Sequence, residues 1–273
     1  MERCMSLERC DEETAWLAAM QLKGVGDKAL RDVNSVYAIE DFIEALKLGN
    51  LDRLSWTESR KKKIIDYYKD NSDYINEKAK EYQDYCEKKN IGILLQTDNI
   101  SKSLQENFYV MPPVLFYRGN IDLLKEKVAR VAVIGARRCT RDGKEKAIDI
   151  ASKEVSNGKV IVSGMAKGID SYAHTAALKA GGTTIAVLGN GIDICYPTEH
   201  EELMETIIEK GLVISQFLPG ASPRQYQFPV RNRLIAGLSE KVYVVEAARN
   251  SGTNTTVQFA KDYGIEVESA YNI

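Results

Sequence analysis

The chain has 273 residues, 44% of them hydrophobic and 28% charged, and a formal net charge of −2. That length suffices for one large or two modest domains, and the composition is ordinary for a globular protein. A charge this close to zero excludes a global basic field, so any surface for a polyanion must be a local patch.

Five cysteines (Cys4, Cys10, Cys86, Cys139, Cys195) form no C-x-x-C pair, and His174 and His200 are the only histidines. No zinc site, disulfide framework or cofactor is expected, and the pattern suits a reducing cytoplasm. The opening "MERCMSLERCDEE" has no apolar core of a secretory leader, and no apolar run approaches the roughly 20 residues that span a bilayer.

The first part of the chain reads as helices. "EETAWLAAMQL" sets Trp16, Leu17 and Met20 at helical spacing. It stops at "KGVGDKAL", where Gly24 and Gly26 bracket one valine ahead of a new helix. "SVYAIEDFIEALKLG" is a further helix closed by Gly49. "SRKKKIIDYYKDNSDYINEKAKEYQDYCEKK" carries mixed charge over an Ile/Tyr stripe, the pattern of a solvated helix face. The hairpin "KGVGDKAL" fits a helix-hairpin-helix that grips one phosphate with its amides, or a plain turn, or a protein-binding surface.

From Ile91 the texture changes. "IGILL" and "PVLFYRG" read as strands, and from Val131 apolar β-branched runs alternate with helical segments: "VAVIG", "VIVSG", "TIAVLG", "LVIS", "KVYVVEA" and "IEVES" are the strands. Such alternation predicts buried parallel strands with crossover helices on both faces. The expected fold is therefore α/β, a parallel-rich Rossmann-like sheet (residues 73–273) behind a small all-helical domain (residues 1–72).

In such sheets ligands gather beyond the carboxyl ends of the strands. The unusual residues sit there: Gly135-Ala136-Arg137-Arg138, Ser163-Gly164, Gly189-Asn190-Gly191 and Ser251-Gly252-Thr253. Glycines that let backbone approach a ligand, ahead of helix N-termini, suggest a phosphate-binding rim. Neither a G-x-G-x-x-G nor a Walker lysine pattern is present, which disfavours ordinary dinucleotide or ATP binding. Cations cluster from Arg130 to Lys146, and Arg224, Arg231 and Arg233 alternate with Tyr226 and Phe228, as in a groove that tracks a backbone while bases stack on rings. The alternative for each aromatic is a core plug. Asp170 and His174 share a helix face and could form a base with its orienter, yet no nucleophile accompanies them. The other reading has Asp170 capping its helix onto loop amides and His174 bonding locally, with Lys167 as the phosphate partner.

Together "VAVIGARR", "VIVSGMAKGIDSYAHTAALKAGGTTIAVLGNGIDICYP", "FPVRNRLIAGLS" and "VYVVEAARNSGT" closely resemble the DprA/Smf family of DNA-processing proteins, over Ile91 to Glu268. The resemblance implies an extended Rossmann-like domain that binds single-stranded DNA without catalysis. It further implies a homodimer that hands incoming DNA to a RecA-type recombinase in natural transformation. Carried over by motif, it names Gly135 and Arg137, then Ser163, Gly164, Lys167 and Gly168, then Asn190 and Gly191, then Arg231, Asn232 and Arg233 as phosphate contacts; Arg138, Ser251 and Gly252 join them from the strand-end pattern. The chain departs from the family at Gln216, in "TDNISKSL" and in "SGTNTTVQFA", and no winged-helix extension is expected in it. A nucleotide-binding or nucleotide-hydrolysing enzyme akin to phosphoribohydrolases, using Glu246, is the competing expectation, although the P-G-G-x-G-T loop of such enzymes is missing. A nucleotide-sensing module is a third.

Overall fold

The computed structural model describes residues 2–107, 111–247 and 252–269. In chain order its elements are α1 (Glu2–Ala19), α2 (Asp27–Asn34), α3 (Ile39–Leu48), α4 (Glu58–Lys88), β1 (Gly92–Leu95), α5 (Asn99–Asn107), β2 (Val114–Gly119), β3 (Arg130–Ile134), α6 (Arg141–Ser156), β4 (Val160–Ser163), α7 (Ile169–Lys179), β5 (Thr184–Leu188), α8 (Glu201–Lys210), β6 (Leu212–Ser215), α9 (Gln227–Gly237), β7 (Lys241–Val244), α10 (Thr253–Asp262) and β8 (Glu266–Ser269). They divide into two compact units, Met1–Leu95 with Pro112–Val114, and Gln96–Met111 with Leu115–Ile273.

In the first unit α1, α3 and α4 pack on one another. Trp16, Phe42, Leu46, Tyr68 and Ile75 are at most 1% exposed and form its centre. Gly49 adopts the left-handed conformation (φ 76°) that ends α3, because only a residue without Cβ enters it at no steric cost. The expected boundary between residues 72 and 73 falls inside α4. That helix runs on to Lys88 because Ile64, Tyr68, Ile75 and Ala79 keep one apolar stripe buried past that point.

In the second unit the strands lie in the order β2-β6-β5-β4-β3-β7-β8. All neighbours are parallel except β2, which runs antiparallel to β6 with Phe116 opposite Ser215. The central strands are buried throughout, which explains their unbroken apolar runs. From β3 the chain steps to β4, β5 and β6 in one direction; after β6 it returns to the far side of β3 and adds β7 and β8. Right-handed crossovers then set α6, α7 and α8 on one face and α9 and α10 on the other, and α6 packs on α7, α7 on α8, and α9 on α10. The direction of winding reverses between β3 and β7, and a crevice opens at such a switch point, beyond the strand ends. Among the described residues no helix is long and apolar enough to cross a membrane.

Candidate nucleic-acid interface

At the switch point, the loops that follow β3 and β4 meet α9 and the start of α10 around a cavity of roughly 380 Å³. A smaller cleft of roughly 60 Å³ adjoins it, lined by Arg137, Gly164, Lys167, Tyr196, Phe228 and Arg231 among others. The two share Arg137, Ala166, Phe228 and Arg231. Arg137, Lys167 and Arg231, far apart in sequence, therefore converge on one rim.

Two buried opposite charges, each held by its own hydrogen bonds, organise this rim. Asp170, in the first turn of α7, is 6% exposed, and Arg231 on α9 is 5% exposed. Asp170 Oδ2 accepts from the Gly164 amide at 3.1 Å, and the amides of Ala166 and Gly135 also bond the carboxylate. Arg231 Nη1 donates to Gly164 O at 2.7 Å and to Val187 O, and Arg231 Nε donates to Asn232 Oδ1 at 3.1 Å. Burial raises the Asp170 carboxyl above its usual range, and the Arg231 charge and the three amides oppose that shift. Burial likewise pulls the Arg231 guanidinium down to about 10, against the pull of Asp170, so it stays charged at neutral pH. Asp170 thus acts as the cap and clasp of the loops, and His174 Nδ1 bonds Thr184 Oγ1 at 2.6 Å in the interior.

This arrangement revises the sequence expectation of free amides for phosphate. The Gly135 and Gly164 amides point at Asp170, and Gly191 N donates to Ala221 O at 2.8 Å. Close packing by itself requires a small residue at four of the five glycines assigned to phosphate. A Cβ on Gly135 would come within 2.7 Å of the Ile169 side chain, one on Gly164 within 2.7 Å of the Arg231 guanidinium, and one on Gly191 within 2.8 Å of Ala221 N. Gly168 has φ 78° and would drive a Cβ into Ala136 O. Gly252 alone among the five has open space where a Cβ would stand.

Other expected contacts are likewise engaged within the protein. Ser163 is buried and donates to Val133 O at 2.7 Å, tying β4 to β3. Asn190 is buried, with Nδ2 donating to Gly191 O and Ile194 O. Asn232 Nδ2 donates to Gly252 O at 3.0 Å, and Arg233 is half-buried and lines neither cavity. Ser251 lies outside the described residues. Arg137, Arg138 and Lys167 are the exposed cations of the rim, and Lys167 also pairs with Glu199.

The aromatic centre of the rim is Phe228. The Arg137 guanidinium lies 5.5 Å and that of Arg231 6.0 Å from its ring centroid, within cation–π range. Tyr196, 41% exposed, tilts against it with centroids 5.8 Å apart. Tyr196 is a participant that the sequence reading misses; its one signal is an aromatic beside Pro197 in a strand-end loop. Met165, a non-glycine at φ 60°, is another; its carbonyl accepts from His200 Nδ1 at 3.0 Å, which fixes the strained turn of the loop after β4. Glu246 Oε2 accepts from Thr140 N at 2.9 Å and Thr140 Oγ1 at 3.0 Å, and so seats the start of α6.

The arrangement offers guanidinium and ammonium groups for phosphates, and ring faces for bases, along one edge of the sheet. The family model of DNA recombination-mediator protein A matches residues 92–271. The DNA processing protein DprA of Streptococcus pneumoniae is 46% identical over 159 residues, 58% of this chain and 55% of its own length. Protein Smf of Synechocystis sp. is 33% identical over 263 residues, 96% of this chain and 65% of its own length. The chain thus spans between about half and two thirds of these two relatives. The X-ray structure of DprA from Streptococcus pneumoniae superposes with a TM-score of 0.78 at 30% identity, covering 95% of this chain and 87% of that one. The Helicobacter pylori DNA processing protein A, whose structure concerns its own single-stranded DNA binding mode, superposes at 0.59 with 30% identity over 67% and 81% of the two chains.

Proposed function

The chain belongs to the DNA recombination-mediator protein A family, and on that premise we propose that it binds single-stranded DNA along the rim that carries Arg137, Lys167 and Phe228. One observation carries the reading: two guanidinium groups flank a single ring, with an exposed tyrosine and a lysine in the same cleft. Cations there neutralise phosphates, while Phe228 and Tyr196 offer faces on which any base stacks. The likeness to the Helicobacter pylori protein supports the same ligand.

The activity is binding rather than catalysis. Asp170 is clasped by loop amides beside Arg231, and Glu246 Oε2 is engaged by Thr140, so neither is poised as a base toward a substrate. Phosphoribohydrolase chemistry, which would need Glu246, is disfavoured on that ground. By family likeness the protein works in the cytoplasm as a homodimer that protects incoming strands and hands them to a RecA-type recombinase during natural transformation.

Fluorescence anisotropy with labelled oligo-dT tests the assignment. Affinity should fall linearly with salt on logarithmic axes, because phosphate contacts release counterions. Arg137→Glu and Lys167→Glu should each weaken binding at least about tenfold, or 1.4 kcal/mol. Parental affinity in both variants would refute the groove.

A further inference from the structure

Two adjacent residues of the segment between β5 and α8 reach across to the loop after β4 that carries Lys167. His200 closes a short 3₁₀ turn (Thr198–His200) and bonds Met165 O through Nδ1 at 3.0 Å. A carbonyl oxygen can only accept, so the proton sits on Nδ1 and this tether ends on backbone. Glu199 pairs with Lys167. The hydrogen bond from Lys167 holds the Glu199 carboxyl below the usual carboxylate range.

The two tethers differ in kind. The His200 bond fixes the turn at Met165, whose φ is 60°. The Glu199 bond joins two side chains that are 52% and 55% exposed, and an exposed pair of this kind favours its paired state by a factor of about five at most. The pair also straddles a border. Lys167 lines the cleft with Arg137, Tyr196 and Phe228, whereas Glu199 lines a neighbouring groove of roughly 870 Å³ formed by α6, α7 and α8. The carboxylate therefore draws the ammonium toward the groove and away from the space where phosphates would lie. Because His200 holds the turn independently, Lys167 can swing into the cleft by side-chain rotation alone.

We propose that Glu199 is an internal competitor for the strand: its carboxylate occupies Lys167 in the free chain, and binding exchanges that carboxylate for a phosphate oxygen. The proposal rests on the reading of the rim as a single-strand site. It adds to that site an affinity-determining residue that faces the neighbouring groove. The exchange runs toward the strand because a strand brings a row of phosphates to Lys167 and Arg137 together, while Glu199 offers one carboxylate to Lys167 alone.

Fluorescence anisotropy with labelled oligo-dT reads the exchange, on variants that keep the parental melting temperature. Glu199→Gln preserves the length of the side chain and removes its charge. It should tighten binding about two- to fivefold, because Lys167 no longer leaves a charged partner. That gain acts through Lys167, so it should vanish when Glu199→Gln is added to Lys167→Gln, with both measured at low salt where the weaker binding is still resolved. Glu202→Gln removes a charge from the same groove without touching the pair, and should leave affinity close to parental. Unchanged affinity in Glu199→Gln, a gain that survives without Lys167, or an equal gain in Glu202→Gln each overturns the competition while the strand site stands. A parent that binds no oligo-dT ends the strand reading and the exchange with it.

Discussion

His174 shows how one residue ties the sheet edge to solution conditions. Its ring is wholly buried, Nδ1 bonds the Thr184 hydroxyl, and Nε2 has no partner among the described residues. Burial, reinforced by the charges of His200 and Arg231, pushes its pKa down to about 3, from 6.5 in an unfolded chain. The folded state therefore keeps it neutral while the unfolded state takes up a proton below pH 6.5. The stabilisation is complete above that pH and is lost as the pH falls from 6.5 toward 3, by about 1.4 kcal/mol per unit. Urea denaturation at pH 6.5 and 5.5 should show the His174→Gln variant losing less stability over that step than the parent. An identical loss in both would show that the histidine is not the linked group. At the same scale, Asp170 and His174 show why a sequence pattern of acid and base need not be catalytic: the carboxylate accepts from the Gly164 amide, and the ring bonds Thr184 in the interior.

At the scale of an element, the start of α6 depends on a side chain that nothing in the local spacing links to its partner. Thr140 accepts from Gly143 N at 3.0 Å as the N-cap and donates to Glu246 Oε2 from the loop after β7. A Cβ on Gly143 would meet that carboxylate, so glycine leaves room for it there by contact rather than by backbone angle. Thr140→Ala should cost about 1–2 kcal/mol in urea denaturation, since it removes a cap and frees the Glu246 carboxylate together. A change within a few tenths would mean that solvent replaces both bonds.

At the scale of the molecule, family likeness leads to the expectation of a homodimer. Static light scattering should return twice the chain mass at concentrations where oligo-dT binds, and a monomer under those conditions would end the dimer proposal. Sequence alone made the second unit legible. The alternation of β-branched runs with helices reflects strands buried on both faces, and this local rule holds whatever the rest of the chain does. It also located the rim, because ligands collect beyond the ends of parallel strands. The extent of α4 past residue 72 and the antiparallel pairing of β2 needed the fold, since they depend on which surfaces are covered. So did the roles at the rim. A glycine or serine in a strand-end loop reads the same whether it meets a ligand or a neighbouring chain segment. Only the packing shows that Gly164 makes room for Arg231, that Asp170 takes the Gly135 and Gly164 amides, and that Gly252 stands open. Burial and partnership are properties of distant residues brought together, and composition and period carry no record of them.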